Sequence, residues 1–258
     1  EDFQGGDFKV DHIHCDINGN TWVALSGYGL LKIDDDLSYK RYLKIDGQPV
    51  GLSISAIYED SDGVVYVVSE MGISVVKNNG ATLVSRNHDV VAFAECAGKL
   101  HFACPNTLLV VDKASGEQKS LDLSHLGVGE ATAMSVTGGS DLYVGFNDND
   151  VARINMEDLS LKVLRSDFGR VRFLFPDSGG LLWIATQKTG IWSYNNSTGR
   201  FKHYVHSKNV KSYYADTLAL VKERGGRLWI KMNNWGFGYY DREEDRIVTL
   251  RNVKEQTD

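Results

Sequence analysis

The stretch 177–204, DSGGLLWIATQKTGIWSYNNSTGRFKHY, decides the fold. Asp177-Ser178-Gly179-Gly180 is turn chemistry, because aspartate accepts hydrogen bonds from the backbone that follows it and glycine takes a positive φ without a Cβ clash. Leu181 to Ala185 then reads as a short apolar strand, Gly190 as the next reversal and Ile191 to Tyr194 as the returning strand. Asn195 to Gly199 turns again into Phe201-Lys202-His203-Tyr204. With Val171 to Phe175 ahead of it, the unit is a four-stranded antiparallel meander. A sheet that is apolar on both faces cannot bury itself, so it needs copies to stack on.

The copies are present. Aligning on the strand-borne Leu182-Trp183 pair finds Thr21-Trp22, Val65-Tyr66, Leu100-His101, Leu142-Tyr143 and Leu228-Trp229. The second members fall at 22, 66, 101, 143, 183 and 229, spaced by 44, 35, 42, 40 and 46 residues. That is the period of a propeller blade rather than of a helical solenoid. Each pair follows a turn, such as Asp16 to Asn20, Asp60 to Gly63 or Ala97-Gly98-Lys99, and Gly29, Gly72, Gly190 and Gly236 lie six or seven residues past the aromatic. The reading is all-β: one β-propeller domain over 1–258, with four-stranded blades at about 10–43, 52–86, 88–123, 131–164, 170–204 and 213–251.

Blade five fits the pattern D-x-x-G-x-L-W-I-x-T-x-x-G-hydrophobic-x-x-Y, closing with F-x-x-Y, through Asp177, Gly180, Leu182, Trp183, Ile184, Thr186, Gly190, Tyr194, Phe201 and Tyr204. This resembles the two-component regulator propeller repeat of bacterial periplasmic sensors. Blades one and six fit well, blades two to four are degenerate, and His206 to Asp216 is similar to that family's Ser/Asn-rich connector. The resemblance implies the ligand-sensing ectodomain of a hybrid histidine kinase of the gut Bacteroidetes type, many of which sense oligosaccharides. It implies a periplasmic address, a kinase and membrane helix outside this segment, and room for a homodimer formed through the full-length receptor. Six repeats leave ring closure open: six blades sealed by side-chain packing, or part of a larger ring, seven-bladed in that family.

Composition agrees with a packed all-β chain. Of 258 residues, 42% are hydrophobic and 10% aromatic, with 26 Gly for turns against only 3 Pro. The net charge of -6 comes with no basic stripe, which argues against nucleic acid and against contact of this segment with an anionic membrane. No segment has the roughly 20 apolar residues that a spanning helix needs, and no signal peptide opens the stretch. Cys15, Cys96 and Cys104 read as small buried residues, and a Cys96–Cys104 disulfide would demand an irregular hairpin register.

Catalytic motifs are absent from the sequence: there is no Gly-x-Ser-x-Gly elbow, no His-Glu-x-x-His and no phosphate-binding glycine loop. No catalytic residue, metal ligand or cofactor is assigned. His12 and His14 share one side of a strand and would make half of a metal site, but no third ligand is evident. Asp34-Asp35-Asp36 and Asn147 to Asp150 read as solvated loop tips. A propeller lyase or hydrolase, whose site would be spread over several blades, and an envelope docking scaffold stay open as alternatives.

Topology places the candidate ligand site. In an up-and-down blade the second-to-third turns and the inter-blade connectors share one end, and there the blades differ in sequence. Those turns carry Tyr28, Met71, Asn149, Thr189 and Trp235, and the connectors carry Gln48, His88, Arg170, Lys208 and Tyr213. Aromatic rings beside amides and a guanidinium suit a pyranose, whose apolar face stacks while its hydroxyls take fixed partners. Tyr28, Arg170, Tyr213 and Trp235 are therefore the expected rim of an oligosaccharide site, against the plainer reading that Tyr28 and Trp235 cap the ends of the blade core.

Overall fold

The computed structural model describes residues 9–42, 44–45, 48–49, 51–77, 80–124, 127, 129–137, 141–148, 150–165, 167–187, 189–204, 221–224, 227–232 and 236–249. Two compact units emerge, Glu1–Val90 and Val91–Asp258. The described residues form six four-stranded antiparallel sheets, each a simple meander of strands consecutive in the chain. The first unit holds the blades at 10–42 and 54–85, the second those at 92–122, 131–165, 171–204 and 221–249.

Blade five follows the sequence reading closely, with strands Val171–Pro176, Leu181–Thr186, Ile191–Asn195 and Arg200–Tyr204. The aligned pairs all sit on second strands: Thr21–Leu25, Val65–Ser69, Lys99–Cys104, Asp141–Phe146, Leu181–Thr186 and Arg227–Met232. Neighbouring residues of a strand point to opposite faces, so the two members of a pair serve opposite sides of the sheet. The first member packs on the preceding blade: Val65 on blade one, Leu142 on blade three, Leu182 on blade four and Leu228 on blade five. The aromatic packs on the following blade, as Trp22 does on blade two, Tyr143 on blade five and Trp183 on blade six. Each fully buried side chain of this size contributes about 2 to 3 kcal/mol through the area it removes from water.

The consensus aspartate does more than turn the chain. Asp177 accepts from the Gly179 and Leu181 amides at 2.8 and 3.0 Å through Oδ1 and from Trp183 Nε1 at 2.8 Å through Oδ2. Asp16 repeats this with Asn18, Asn20 and Trp22 Nε1, the last at 2.8 Å, and Asp60 with Asp62, Val64 and the Tyr66 hydroxyl. Burial alone would push the Asp16 carboxyl up, but the hydrogen bonds from Asn20, Trp22 and the loop amides outweigh it and hold it below the usual range. The closing Tyr204 of blade five lies 5.1 Å from the Trp183 ring and donates to Asp245 of blade six at 2.9 Å, as Tyr240 does at 2.7 Å. Burial, ahead of the nearby carboxylate, lifts the Tyr204 hydroxyl to about 12. Repeat aspartates, tryptophans and tyrosines are thus committed to the fold.

The burial of Cys15 and one extra hairpin depart from the sequence reading, while Cys96 and Cys104 follow it. Cys15, expected to be buried, ends the exposed first strand Val10–Cys15 and is itself exposed. All three cysteines are thiols; Cys96 faces Lys99 across the ladder and Cys104 faces Thr107, a regular register that keeps the two apart. An additional two-stranded hairpin, Lys44–Ile45 with Gln48–Pro49, follows blade one.

Candidate functional site

In the first unit the second-to-third turn of blade one closes with the Tyr28 amide donating to the Leu25 carbonyl at 2.9 Å. Gly27 there has φ 74°, and its amide reaches the Leu52 carbonyl of the next connector at 3.0 Å. In blade two, Glu70 leans back over the same connector. Its carboxylate accepts the Leu52 and Ser53 amides at 2.8 and 3.0 Å. These bonds fasten both turns to one connector. They leave Tyr28, Leu52 and Met71 exposed by 41%, 48% and 39%, three of the large apolar side chains that reach the surface.

Tyr28 is held rather than loose. Arg41 donates through Nε to the Tyr28 carbonyl at 2.9 Å and lays its guanidinium over the ring at 5.3 Å. One ring face is committed to the cation, an arrangement worth about 0.5 to 1 kcal/mol at an exposed site. An exposed ring fixed in place by such a clamp, beside a guanidinium, is a stacking platform with a polar neighbour. Arg41 sits on the fourth strand Tyr39–Tyr42 and was not among the residues the sequence singled out. The turn-to-fourth-strand crossing that joins it to Tyr28 leaves no mark in a linear pattern.

In the second unit Arg170 is exposed, and its carbonyl accepts the Gln187 amide at 2.8 Å, which places it beside the second-to-third turn of blade five. Thr189 on that turn is structural. Its hydroxyl bonds Thr186 Oγ1 at 2.9 Å, accepts Trp192 Nε1 at 3.1 Å and donates to the Phe168 carbonyl. The equivalent fastening in blade four is Asn147, whose side chain accepts the Glu130 amide and donates to the Glu130 carboxylate, both at 3.0 Å. Tyr213 and Trp235, together with Asn149 and Lys208, lie outside the described residues, as does the side chain of Gln48. Tyr28 belongs to the first unit and Arg170 to the second.

The two strand histidines separate in role. His14 Nε2 bonds Glu59 Oε2 at 2.8 Å across the blade one–blade two interface, while Glu59 Oε1 accepts the Ile17 amide at 2.9 Å. His12 has a buried Nδ1 with no partner, and burial, followed by the nearness of His14, lowers its pKa. Among the described residues no group of three or more His, Cys, Asp or Glu is placed to hold a metal ion. The acidic loop 34–36 is tied up locally, with Asp34 pairing to Lys32 at 2.6 Å and Asp36 accepting the Ser38 amide at 2.9 Å.

No protein-family model and no curated protein sequence matches this chain. Solved structures do. The extracellular domain of the B. thetaiotaomicron system BT4673 aligns with a TM-score of 0.73 at 16% identity, covering 95% of this chain and 37% of that one. The extracellular domain of BT3049 from the same organism, described as a hybrid two-component system, aligns at 0.66 and 19% identity, covering 94% and 34%. Virginiamycin B lyase from Staphylococcus aureus aligns at 0.65 and 15% identity, covering 94% and 84%. The chain spans little more than a third of the length of the two extracellular domains. The fold is a β-propeller with six four-stranded blades among the described residues, similar to the propellers of Bacteroides sensor ectodomains and of a lyase.

Proposed function

We propose that this chain is the ligand-sensing propeller of an extracytoplasmic receptor that signals to a histidine kinase, and that its ligand is an oligosaccharide. The observation that carries the reading is the likeness, over 94 to 95% of the chain, to extracellular domains of two Bacteroides systems of that kind. It is supported by how the residues are spent. Consensus Asp, Trp and Tyr side chains are used up in the blade interfaces, whereas the variable end of the first unit presents Tyr28, clamped by Arg41, and the exposed Leu52 and Met71. A pyranose ring would stack on Tyr28, with Arg41 donating to its hydroxyls. Arg170 is a separate contact point of the second unit, and Tyr213 and Trp235 complete the proposed set. A periplasmic location and a receptor homodimer belong to the same proposal.

A propeller lyase is the second reading, favoured by the coverage of 84% of virginiamycin B lyase. A glycan array followed by calorimetric titration tests the first. Tyr28→Ala, at an exposed turn position, is expected to fold and to weaken binding of an array hit by about 1 to 3 kcal/mol, the worth of one stacking ring in a defined pocket. Unchanged affinity in folded Tyr28→Ala and Arg170→Ala would move the site elsewhere.

A further inference from the structure

A cleft of about 140 Å3 opens between blades three and four of the second unit, at the end that carries the first-to-second and third-to-fourth turns. Turn chemistry alone marks that end as compact and repetitive, and the tertiary structure gives it a concave feature. The floor is apolar: Val110 and Met156 are buried, and Leu159 lies between them and solvent. Leu159 adopts φ 59°, a left-handed conformation that asparagine or glycine would take with less strain. A leucine there supplies floor that neither alternative would.

The wall carries both signs of charge. Lys99 and Asp112 are cross-strand partners of blade three, and Glu157 comes from the turn of blade four. Asp112 Oδ1 is engaged by the Ala114 and Ser115 amides and the Ser115 hydroxyl at 2.9 to 3.1 Å; these bonds, the Ser115 amide first, hold its carboxyl below the usual range and keep it charged. Glu117 and Lys119 satisfy each other at the rim, 3.4 Å apart. Lys99 stands opposite Asp112 and helps to lower that carboxyl, and Glu157 adds a second carboxylate, so charges of both signs line the mouth of an apolar cleft.

From this set of opposite charges over an apolar floor, we infer that the cleft binds a small zwitterion, an aliphatic α-amino acid. Its carboxylate meets Lys99, its ammonium meets Glu157 and Asp112, and its side chain covers Val110, Met156 and Leu159. The lining of the cleft decides against a sugar. No aromatic ring or side-chain amide lines it, so it lacks what would recognise a pyranose.

L-Leucine is the probe, titrated into the isotope-labelled protein and followed by amide chemical shifts. Saturable shifts confined to residues around 99, 110 and 156–159 are expected. Affinity for leucine should exceed by at least tenfold that for 4-methylpentanoate, which lacks the ammonium, for isoamylamine, which lacks the carboxylate, and for glycine, which lacks the apolar chain. Lys99→Met and Glu157→Gln should each weaken leucine binding about tenfold, the order of one charge-assisted contact. Glu157 is exposed, so its variant answers the question even if Lys99→Met is poorly folded. Absence of saturation with leucine, equal binding of 4-methylpentanoate, or unaltered affinity in folded Glu157→Gln would each overturn the assignment.

Discussion

His101 stands in blade three where the other blades carry tryptophan or tyrosine, and it makes the stability of the protein depend on pH in a way that can be isolated. The side chain has no solvent exposure, on the face it shares with Ala103 and Val110. Burial drives its pKa down to about 4; the Ala94 backbone opposite offsets only part of this, and neither ring nitrogen reaches a well-formed hydrogen bond. The folded value lies below the roughly 6.5 of an unfolded chain, so the unfolded state takes up a proton that the folded state refuses. Stabilisation is therefore whole above pH 6.5 and is lost as pH falls toward 4. Between pH 7.5 and 4.5 the loss works out to about 2 to 3 kcal/mol at 1.36 kcal/mol per pKa unit. His101→Phe puts in a ring that does not titrate. Any difference in packing is the same at every pH, and titration of His12 occurs in both proteins, so both cancel in the slope. Urea unfolding followed by tryptophan fluorescence should show the variant gaining 2 to 3 kcal/mol, roughly, on the parent between those pH values. Parallel stability curves would refute a buried neutral imidazole at this position.

Asp177→Asn turns an amide donor toward Trp183 Nε1 and Arg242, both donors, and should cost about 2 to 3 kcal/mol in thermal or urea unfolding. Asp60→Asn should cost less than half as much, because the Tyr66 hydroxyl can rotate to accept where an indole cannot, and equal losses would remove the donor–acceptor explanation. Gly72→Ala is expected to destabilise by about 3 kcal/mol or more: the residue has φ 120°, and a Cβ would stand 2.1 Å from the Ser85 carbonyl oxygen. Ala97→Gly should stabilise by about 0.5 to 1 kcal/mol, since Ala97 and Gly98 turn the blade-three hairpin at φ 50° and 71°, a geometry glycine takes freely; a loss of stability would contradict it.

The fold was legible because period-two strands, turn residues and the recurring aromatic pair all report the same blade. The two faces of Leu182-Trp183 show why the pair recurs: one side chain is needed for each neighbouring blade. The second duty of Asp16 and Asp177, as acceptors for a tryptophan six residues on, was hidden because the turn by itself already accounted for an aspartate. The hairpin after blade one had a signal in the Asp46-Gly47 dipeptide between its strands, residues that themselves lie outside the described set. The exposure of Cys15 was not legible, since alternation along Val10–Cys15 does not say which face a neighbour covers. At the proposed ligand site the sequence singled out Tyr28 as a candidate but not Arg41, thirteen residues away on the fourth strand. Thr189 looked available on a turn and is consumed by Phe168, Thr186 and Trp192, contacts set by tertiary structure alone.

Binding without turnover separates the sensor from the lyase most directly. An oligosaccharide selected on the array is titrated calorimetrically into the protein, and the same mixture, held at saturation, is then analysed by mass spectrometry. Saturable binding is predicted, weakened in Tyr28→Ala, with every sugar molecule recovered at its original mass. Recovery of shorter fragments, heavier by a water or bearing a new double bond, would contradict a sensing role and point to a hydrolase or a lyase.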